Sequence, residues 1–269
     1  MARFDHTVTV TPLDRAWFEE CARFALDTSE STRTRRGGDI VLGDGGPLVP
    51  GIRLLKGRHL RAGARYEIAS DADEEAGTPG VSPVHDPVVM TVREWRRSNA
   101  IAVELRMDSA DLAVRLAGRL RTPDRPGTLD VGFDVRSPVG GSLHRASGRA
   151  RLDLAAWWAA AAARAGSLPP ARAPLTARAK HRLGRARLTI TPRPADDGSW
   201  EVGVTLTVRG RSLLRPVAAL ALLFGRVPLR RAFRSGVDQA AAGWNEALAS
   251  APLPDPDELR AELVKALTD

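Results

Sequence analysis

Residues 127–136 have the sequence Gly-Thr-Leu-Asp-Val-Gly-Phe-Asp-Val-Arg, and residues 198–209 have the sequence Gly-Ser-Trp-Glu-Val-Gly-Val-Thr-Leu-Thr-Val-Arg. Each stretch follows a turn and alternates apolar with polar side chains, and a Thr-Pro pair precedes it at Thr122 and Thr191. This pattern predicts the second strand of a β-hairpin. An Ala-rich stretch that is predicted to be helical follows each hairpin. The sequence therefore indicates an α+β protein with a partly duplicated antiparallel sheet.

The chain around the first hairpin predicts a meander, in which consecutive strands pair in antiparallel order. Turn signals such as Ser98-Asn99 and Asp108-Ser109 separate the segments. Strands are predicted at 5–11, 40–42, 52–55, 64–69, 88–96, 99–107, 111–121, 128–136, 183–192 and 200–209. Sequential strands at this spacing build one continuous curved sheet rather than a parallel layer.

Four helices are predicted from periodicity, and the last is a short one that is capped by Asp255-Pro256-Asp257-Glu258 and carries Leu259, Leu263 and Leu267. Thr11-Pro12-Leu13-Asp14 has the residues of a helix start, with Thr11 at the N-cap, and that helix is expected to end before Thr28. A second helix is predicted over 152–165. The most regular helix follows the second hairpin, and its apolar stripe predicts that it lies across a hydrophobic surface. The stripe consists of Leu229, Phe233, Val237, Ala240, Trp244 and Leu248.

The connecting segments suggest how the chain is divided. Residues 71–87 are expected to be an acidic surface loop, and residues 137–149 a Gly- and Ser-rich connection. The segment 167–174 combines two adjacent prolines with small residues, which is typical of a linker. We expect one enlarged domain over 1–269, with an internal boundary near 167–174.

Composition excludes several classes of protein. The chain has 269 residues, of which 43% are apolar, so it can bury a substantial core. One cysteine, Cys21, excludes an intrachain disulfide. The longest apolar run, Val217–Phe224, is too short to span a bilayer, and the N-terminus has no signal core. We expect a cytoplasmic protein without a transmembrane segment.

The net charge of +8 comes almost entirely from arginine, since lysine occurs only at Lys56, Lys180 and Lys265. Most arginines are spread along strands and helices, where a solvated face explains them. Two compact patches, Arg33–Arg36 and Arg178–Arg182, keep a nucleic-acid partner open as the less favoured alternative.

The sequence contains no recognised cofactor or metal motif. The five histidines lie in separate segments, Gly43–Gly46 lacks the residues of a phosphate-binding loop, and no nucleophile elbow occurs. We therefore expect no metal and no cofactor, and the sequence leaves open whether the protein is an enzyme.

Three residues are candidates for general acid–base chemistry. His85 lies between two prolines at the start of a strand, and Glu94 and Glu104 lie within strands of the meander. An acid directed into a cavity would have a raised pKa and could serve as a general acid or base. The alternative is that each acid pairs with a cross-strand arginine on the solvated face.

Aromatic residues are the candidates for ligand contacts. The chain has six tryptophans and one tyrosine. Core packing explains most of them, but Trp17, Tyr66 and Trp95 are candidates to line an apolar pocket.

Three segments resemble the START and Bet v 1-like superfamily, which includes polyketide cyclases. Thr7–Trp17 is similar to its strand-Pro-helix opening, and Gly127–Arg136 and Gly198–Val208 are similar to its late strands. The resemblance implies a helix-grip fold, in which a curved sheet wraps a long C-terminal helix. Paired lipocalin-like barrels would fit the strand count almost as well.

The leading functional prediction is the binding of a hydrophobic small molecule, polyketide- or lipid-like, in an apolar cavity. Cyclase-type catalysis would then depend on orientation of the substrate. One alternative is a basic nucleic-acid-binding or regulatory protein that uses Arg33–Arg36 and Arg178–Arg182. The other is a membrane-surface lipid carrier that uses Leu213–Leu229.

Overall fold

The computed structural model describes residues 1–69, 88–109, 111–137, 144–164, 170–210 and 226–249, together with Ala261 and Lys265. These residues form thirteen strands and three helices. The strands are β1 Ala2–Val10, β2 Thr32–Thr34, β3 Asp39–Leu42, β4 Leu48–Lys56, β5 Arg65–Ile68, β6 Val88–Arg96, β7 Ala100–Asp108, β8 Ala113–Arg121, β9 Thr128–Arg136, β10 Arg145–Asp153, β11 Leu175–His181, β12 Gly184–Pro194 and β13 Trp200–Gly210. The helices are α1 Arg15–Ser31, α2 Leu154–Ala161 and α3 Arg226–Ala249.

The thirteen strands form one antiparallel sheet in the order β1-β13-β12-β11-β10-β9-β8-β7-β6-β5-β4-β3-β2. Each strand from β2 to β13 therefore neighbours the next strand along the chain, which confirms the predicted meander. The first strand pairs with the last, with Ala2 opposite Val208 and Val10 opposite Trp200. The protein is mostly sheet, and a helix follows the last strand.

The contacts of the chain group into two compact units. Unit 1 comprises Met1–Trp17, Gly127–Gly132 and Ser142–Leu253, and unit 2 comprises Phe18–Pro126, Phe133–Gly141 and Pro254–Asp269. The segment 167–174, predicted as an internal boundary, falls within unit 1.

In unit 1, both helices pack on the side of the sheet that carries the apolar side chains. Helix α3 crosses β1, where the rings of Phe4 and Phe233 lie 6.2 Å apart. Helix α2 contacts β12 and β10, and its two tryptophans, Trp157 and Trp158, meet the buried Trp200 edge-on at 6.3 and 5.9 Å. These aromatic contacts cover the hairpin end of the sheet, where β12 ends and β13 begins.

In unit 2, the core lies on β3–β6. Tyr66 is 1% exposed and packs with Ile40, Val49, Ala64 and Val92. Within this unit, the indole N–H of Trp95 donates a hydrogen bond of 3.0 Å to Glu30 of α1. Arg97 forms ion pairs with Asp27 and Glu30 of the same helix. Packing and charge together therefore fix the C-terminal half of α1.

Helix α1 differs from the prediction at both ends. It begins at Arg15, because the carboxylate of Asp14, not the Thr11 hydroxyl, accepts the hydrogen bond from Trp17 N at 2.7 Å. It continues to Ser31, beyond the predicted end before Thr28. The Ser29 hydroxyl donates to the carbonyl of Ala25 and the Ser31 hydroxyl to that of Thr28, so two carbonyls of the last turns are satisfied.

Three strands were not predicted: β2, β10 and β11. The last two alternate arginine or lysine with alanine and glycine, and they lack the bulky branched residues that usually indicate a strand. The second predicted helix is also shorter than expected, Leu154–Ala161, because Asp153 caps it and residues up to Asp153 belong to β10.

The predicted stripe of the C-terminal helix is partly wrong. Phe233, Val237 and Leu248 are half-buried as expected, whereas Leu229 is 39% and Trp244 38% exposed. The buried position is Ala241 instead of Ala240. The helix packs against the edge strand β1, so only a narrow strip of its surface is covered.

Candidate functional site

The sheet of unit 1 has two chemically opposite faces across β10–β13. Residues that lie directly opposite each other in an antiparallel pair point to the same face, and the registers of these strands are continuous. We call one side the apolar face. His181, opposite Ala146, is the polar residue on this side, and Pro192, Trp200 and Val202 lie at its other end. By the apolar face we mean the thirteen residues between them, Ala146, Gly148, Ala150, Leu152, Leu175, Ala177, Ala179, Ala186, Leu188, Ile190, Val204, Leu206 and Val208.

The apolar face is only half-buried. Of its thirteen residues, Val204 is buried at 6% exposure and the others are intermediate, whereas Pro192, Trp200 and Val202 farther along the same side are buried. Its side chains are large on β12 and β13, as in the opposed pair Leu188 and Leu206. Apart from the pair Leu152 and Leu175, they are small on β10 and β11, where Ala150 lies opposite Ala177 and Gly148 opposite Ala179. The face therefore offers apolar surface that side chains of the described residues do not fully cover.

We call the other side of the same strands the basic face. Arg178 of β11 lies directly opposite Arg149 of β10 and Arg187 of β12. One step along the strands, Lys180 lies opposite Arg185, and Arg185 lies opposite Arg209 of β13. Arg151 completes the set, and all seven side chains are exposed.

These like charges lie side by side with little compensation. Directly opposed like charges destabilise a sheet. Among the described residues, one of these seven cations forms an ion pair: Arg151 lies 4.0 Å from Asp130. The other six cations have no acidic partner within 4.0 Å in that part of the chain.

A pocket of about 710 Å³ opens beside the basic face. Four arginines line it, from β10, β11, β12 and the segment before β11, and the hydroxyl-bearing Thr176 and Thr189 lie between them. The one acid in the described part of the lining, Asp153, already accepts the N-cap hydrogen bond from Ala156 of α2 at 2.9 Å. The arginines are Arg151, Arg172, Arg178 and Arg187. This chemistry suits an anionic group.

A second pocket, of about 1030 Å³, borders the exposed side of α3. Its described lining includes Arg230, Arg231 and Arg234, and also Asp238. The Asp238 carboxylate lies 2.6 Å from Nε2 of His6 on β1. This contact therefore ties α3 to the sheet and does not leave Asp238 free for a ligand.

In unit 2, Glu104 is a buried carboxylate surrounded by three arginines. Its side chain is 3% exposed, and Arg115, Arg93 and Arg106 lie within 2.7, 2.8 and 2.7 Å. Burial alone would raise the pKa of Glu104, but the three guanidinium hydrogen bonds outweigh it and lower the pKa to about 2. The raised pKa expected for a general acid is therefore not found. Glu104 pairs with cross-strand arginines, as the alternative expected, but it is buried and does not lie on a solvated face.

Also in unit 2, a chain of hydrogen bonds fixes the state of His59. The Thr32 hydroxyl donates to the carbonyl of Ser29, so its oxygen accepts from Nε2–H of His59 at 2.8 Å. The backbone N–H of Leu60 donates to the Tyr66 hydroxyl oxygen at 2.8 Å, and that hydroxyl donates to Nδ1 of His59 at 3.0 Å. Burial and the charge of Arg33 lower the pKa of His59. The ring is therefore neutral with its proton on Nε2.

The predicted ligand-contact residues do not form one cluster in the described contacts. Tyr66 lies in the closed core of unit 2, and the partly buried Trp95 packs against the same core. Trp17 belongs to unit 1 and is half-buried near the start of α1. Their role in ligand binding stays a prediction.

The predicted catalytic candidates are also separate. His85 lies outside the described residues. Glu94 pairs with Arg119 at 2.8 Å and accepts a hydrogen bond from Asn99. Glu94 and Glu104 therefore both have arginine partners, and a catalytic role for either stays a prediction.

The two predicted basic patches have different structures. Arg33 donates to backbone carbonyls at the end of α1, and Arg35 donates to the carbonyl of Gly46, so these guanidinium groups serve local structure. Arg178 and Lys180 belong to the basic face. Most of that face was not predicted, although arginine recurs on one side of 145–151 and 185–187 in the sequence.

No helix in the described part of the chain is long and apolar enough to cross a lipid bilayer. Within the same residues, no three His, Cys, Asp or Glu side chains are grouped so that they could hold a metal ion. No protein-family model matches this sequence, and neither a curated protein nor a solved structure shows significant similarity to it.

Proposed function

We propose that unit 1 binds a hydrophobic small molecule, polyketide- or lipid-like, against the apolar face of its sheet. The observation that carries the proposal is that these thirteen residues are apolar or glycine and that all of them except Val204 are half-buried, with His181 as the one polar residue on that side of β10–β13. Covering exposed apolar surface contributes roughly 2.5 kcal/mol for each 100 Å² that leaves water. A ligand seated there would supply the contacts that the protein's own side chains leave unmade.

The gradient in side-chain size supports a flat or extended ligand. The alanines and glycine of β10 and β11 leave space above the backbone, and Leu188 and Leu206 on the neighbouring strands form a taller border. The helix-grip resemblance leads to the same expectation, because proteins with that fold enclose apolar ligands between sheet and helix.

The proposal concerns binding alone. Glu104, a buried acid and a candidate for acid–base chemistry, is held by three arginines and has a lowered pKa, so it is ionised at neutral pH. Cyclase-type catalysis remains a prediction that this proposal does not require.

The test is whether a hydrophobic molecule occupies this face. Native mass spectrometry of the purified full chain is expected to detect a bound hydrophobic compound, and the delipidated protein is expected to bind the neutral probe Nile red. The variant Ala177→Trp fills the space above β11, and we expect it to weaken Nile red binding by about tenfold, as the loss of roughly 1.4 kcal/mol of contact would do.

The matched control is Thr176→Trp, which places the same side chain on the adjacent residue and the opposite face. It should leave the affinity for Nile red unchanged. Should Ala177→Trp fail to fold by circular dichroism, the milder Ala186→Leu replaces it. The proposal would be refuted if Thr176→Trp weakened Nile red binding as much as the apolar-face variant does, or if the native chain did not bind Nile red.

A further inference from the structure

We propose that the basic face of β10–β13 docks unit 1 onto membranes that contain anionic phospholipids. This inference goes beyond the binding of a hydrophobic molecule and does not depend on it, because it concerns the opposite side of the same strands. It is based on the register of the strands, the composition of the face and the pocket beside it.

The first argument is that repulsion between the basic side chains destabilises the isolated protein. Arg149, Arg178 and Arg187 stand in a row of directly opposed residues, and Lys180, Arg185 and Arg209 stand in the next. Each opposed pair of like charges is unfavourable. A partner with closely spaced negative charges would convert this repulsion into attraction, which identifies the partner as polyanionic.

The second argument is the type of cation. Six of the seven basic side chains are arginine, and all seven are exposed. The planar guanidinium group binds phosphate oxygens in a bidentate manner and carries its charge at any physiological pH. The face is therefore suited to phosphate groups.

The third argument separates a membrane from a nucleic acid. Proteins that bind single strands on a sheet stack bases on aromatic side chains. The side of β10–β13 that carries the basic face has no aromatic residue at any of its strand positions from Ser147 to Arg209. Stacking is therefore absent from this face.

A duplex groove does not fit either. The backbones of β10 and β13 are separated by three strand spacings, about 14 Å before side chains are added. The major groove of B-form DNA is about 12 Å wide and admits a helix or a two-stranded ribbon. A four-stranded surface is too broad to enter it, whereas the anionic leaflet of a bilayer presents phosphates over an area of any width.

The pocket of about 710 Å³ next to this face adds a place for an individual headgroup. Arg151, Arg178 and Arg187 belong both to the face and to the lining, and Arg172 closes the pocket from the segment before β11. A phosphate that entered from the bilayer surface would meet several guanidinium groups at once.

The test compares vesicles of phosphatidylcholine alone with vesicles that also contain phosphatidylglycerol, using co-sedimentation of the full chain. Binding is expected only with the anionic lipid and should weaken as salt is added. Each basic residue near an anionic leaflet contributes about fivefold to partitioning, so the triple variant R149Q/R178Q/R187Q should bind about 100-fold more weakly.

The matched control removes the same number of charges from exposed arginines of unit 2, in the variant R58Q/R61Q/R96Q. We expect its partitioning to change by less than about threefold, because these residues lie outside the basic face. Circular dichroism should confirm that both triple variants fold.

Three results would overturn the inference. They are equal binding to vesicles without anionic lipid, equal losses in the two triple variants, and tighter binding of a duplex or single-stranded oligonucleotide than of anionic vesicles at matched phosphate concentration. The Ala177→Trp variant separates this inference from the proposed function, because it should weaken Nile red binding and leave vesicle binding unchanged.

Discussion

Arg178 lies directly opposite Arg187 across the β11–β12 pair, and both side chains are exposed. Residues in this relationship have their Cβ atoms about 5 Å apart. Like charges in this position repel each other, whereas the next pair on the same face, Thr176 and Thr189, is neutral. The opposed arginines therefore lower the stability of the isolated chain.

Removing one of these charges should stabilise the protein. Arg178→Gln relieves repulsion toward Arg149 and Arg187, and we expect a gain of about 0.5 kcal/mol in the free energy of unfolding at low salt. Urea denaturation measures the change. Arg178→Lys retains the charge and should give no gain, and the advantage of Arg178→Gln should vanish at high salt. A persistent gain at high salt would mean that repulsion is not its cause.

Asn245 should hold the end of β1 in place. Its side-chain oxygen accepts from Thr11 N at 2.8 Å, and its side-chain nitrogen donates to the carbonyl of Thr9 at 3.3 Å. Asn245→Leu removes both hydrogen bonds, and we expect a loss of about 1 kcal/mol and faster hydrogen exchange at the Thr11 amide.

The variant Asn245→Asp serves as the control for that experiment. It keeps an acceptor for Thr11 N and loses only the donor to Thr9, so the Thr11 amide should stay protected. Unchanged exchange at Thr11 in Asn245→Leu would contradict the assigned role.

The strands that carry the basic and apolar faces could be predicted from the sequence only where their apolar positions hold large residues such as Leu, Ile and Val. The hairpin of β12 and β13 alternates Leu, Ile and Val with polar residues, and its prediction is confirmed to within two residues at each end. In β10, by contrast, the residues that alternate with Arg along the strand are Ala and Gly. Because alanine and glycine have low strand propensity, the pattern resembles a connection.

The site around Glu104 could not be predicted for a different reason. Arg106 lies two residues along the same strand, but Arg93 comes from β6 and Arg115 from β8, so the proximity of these two depends on register. The pairing of β6 with β7 shifts between Val92 and Glu94, which leaves Arg93 as the additional residue of a bulge. Bulges reorient single side chains, and no periodic pattern in one strand indicates where they occur.

Replacing Glu104 should destabilise the protein strongly, because this buried acid has three arginine partners. Glu104→Gln leaves three guanidinium groups without their shared counter-charge. These arginines are about half exposed, so water screens part of the effect. We expect a loss of about 2 kcal/mol in the free energy of unfolding, measured with urea at neutral pH. Glu94→Gln, in which one arginine loses its partner, should cost less than half as much.

The same residue should make stability depend on acid pH. The folded-state pKa of Glu104 is about 2, below its ordinary value of 4.5. A lowered pKa contributes stability that is complete above the ordinary value and is lost as the pH falls toward the folded value. The difference between native chain and Glu104→Gln should therefore be constant above about pH 5 and shrink steadily below it. A difference independent of pH would contradict the lowered pKa.

The hydrogen-bond chain through His59 permits a spectroscopic prediction. Two-bond ¹⁵N–¹H spectra should place the single ring proton of His59 on Nε2, because Tyr66 donates to Nδ1. The pKa of His59 is lowered from 6.5, so its neutral form is favoured in the folded state. Its contribution to stability is therefore complete above pH 6.5 and is lost as the pH falls below that value.

Tyr66→Phe tests this chain directly. It removes the donor to Nδ1 and the acceptor for Leu60 N–H, and the backbone of Leu60 already has a φ of 51°, which is unfavourable for a residue with a side chain. Because Tyr66 is 1% exposed, water cannot replace either partner. We expect a loss of about 2 kcal/mol by urea denaturation. The vacated Nδ1 should also accept a proton by tautomerisation, so the Nε2–H form should no longer be the sole species. A single unchanged tautomer in Tyr66→Phe would show that Thr32, and not Tyr66, determines the state of the ring.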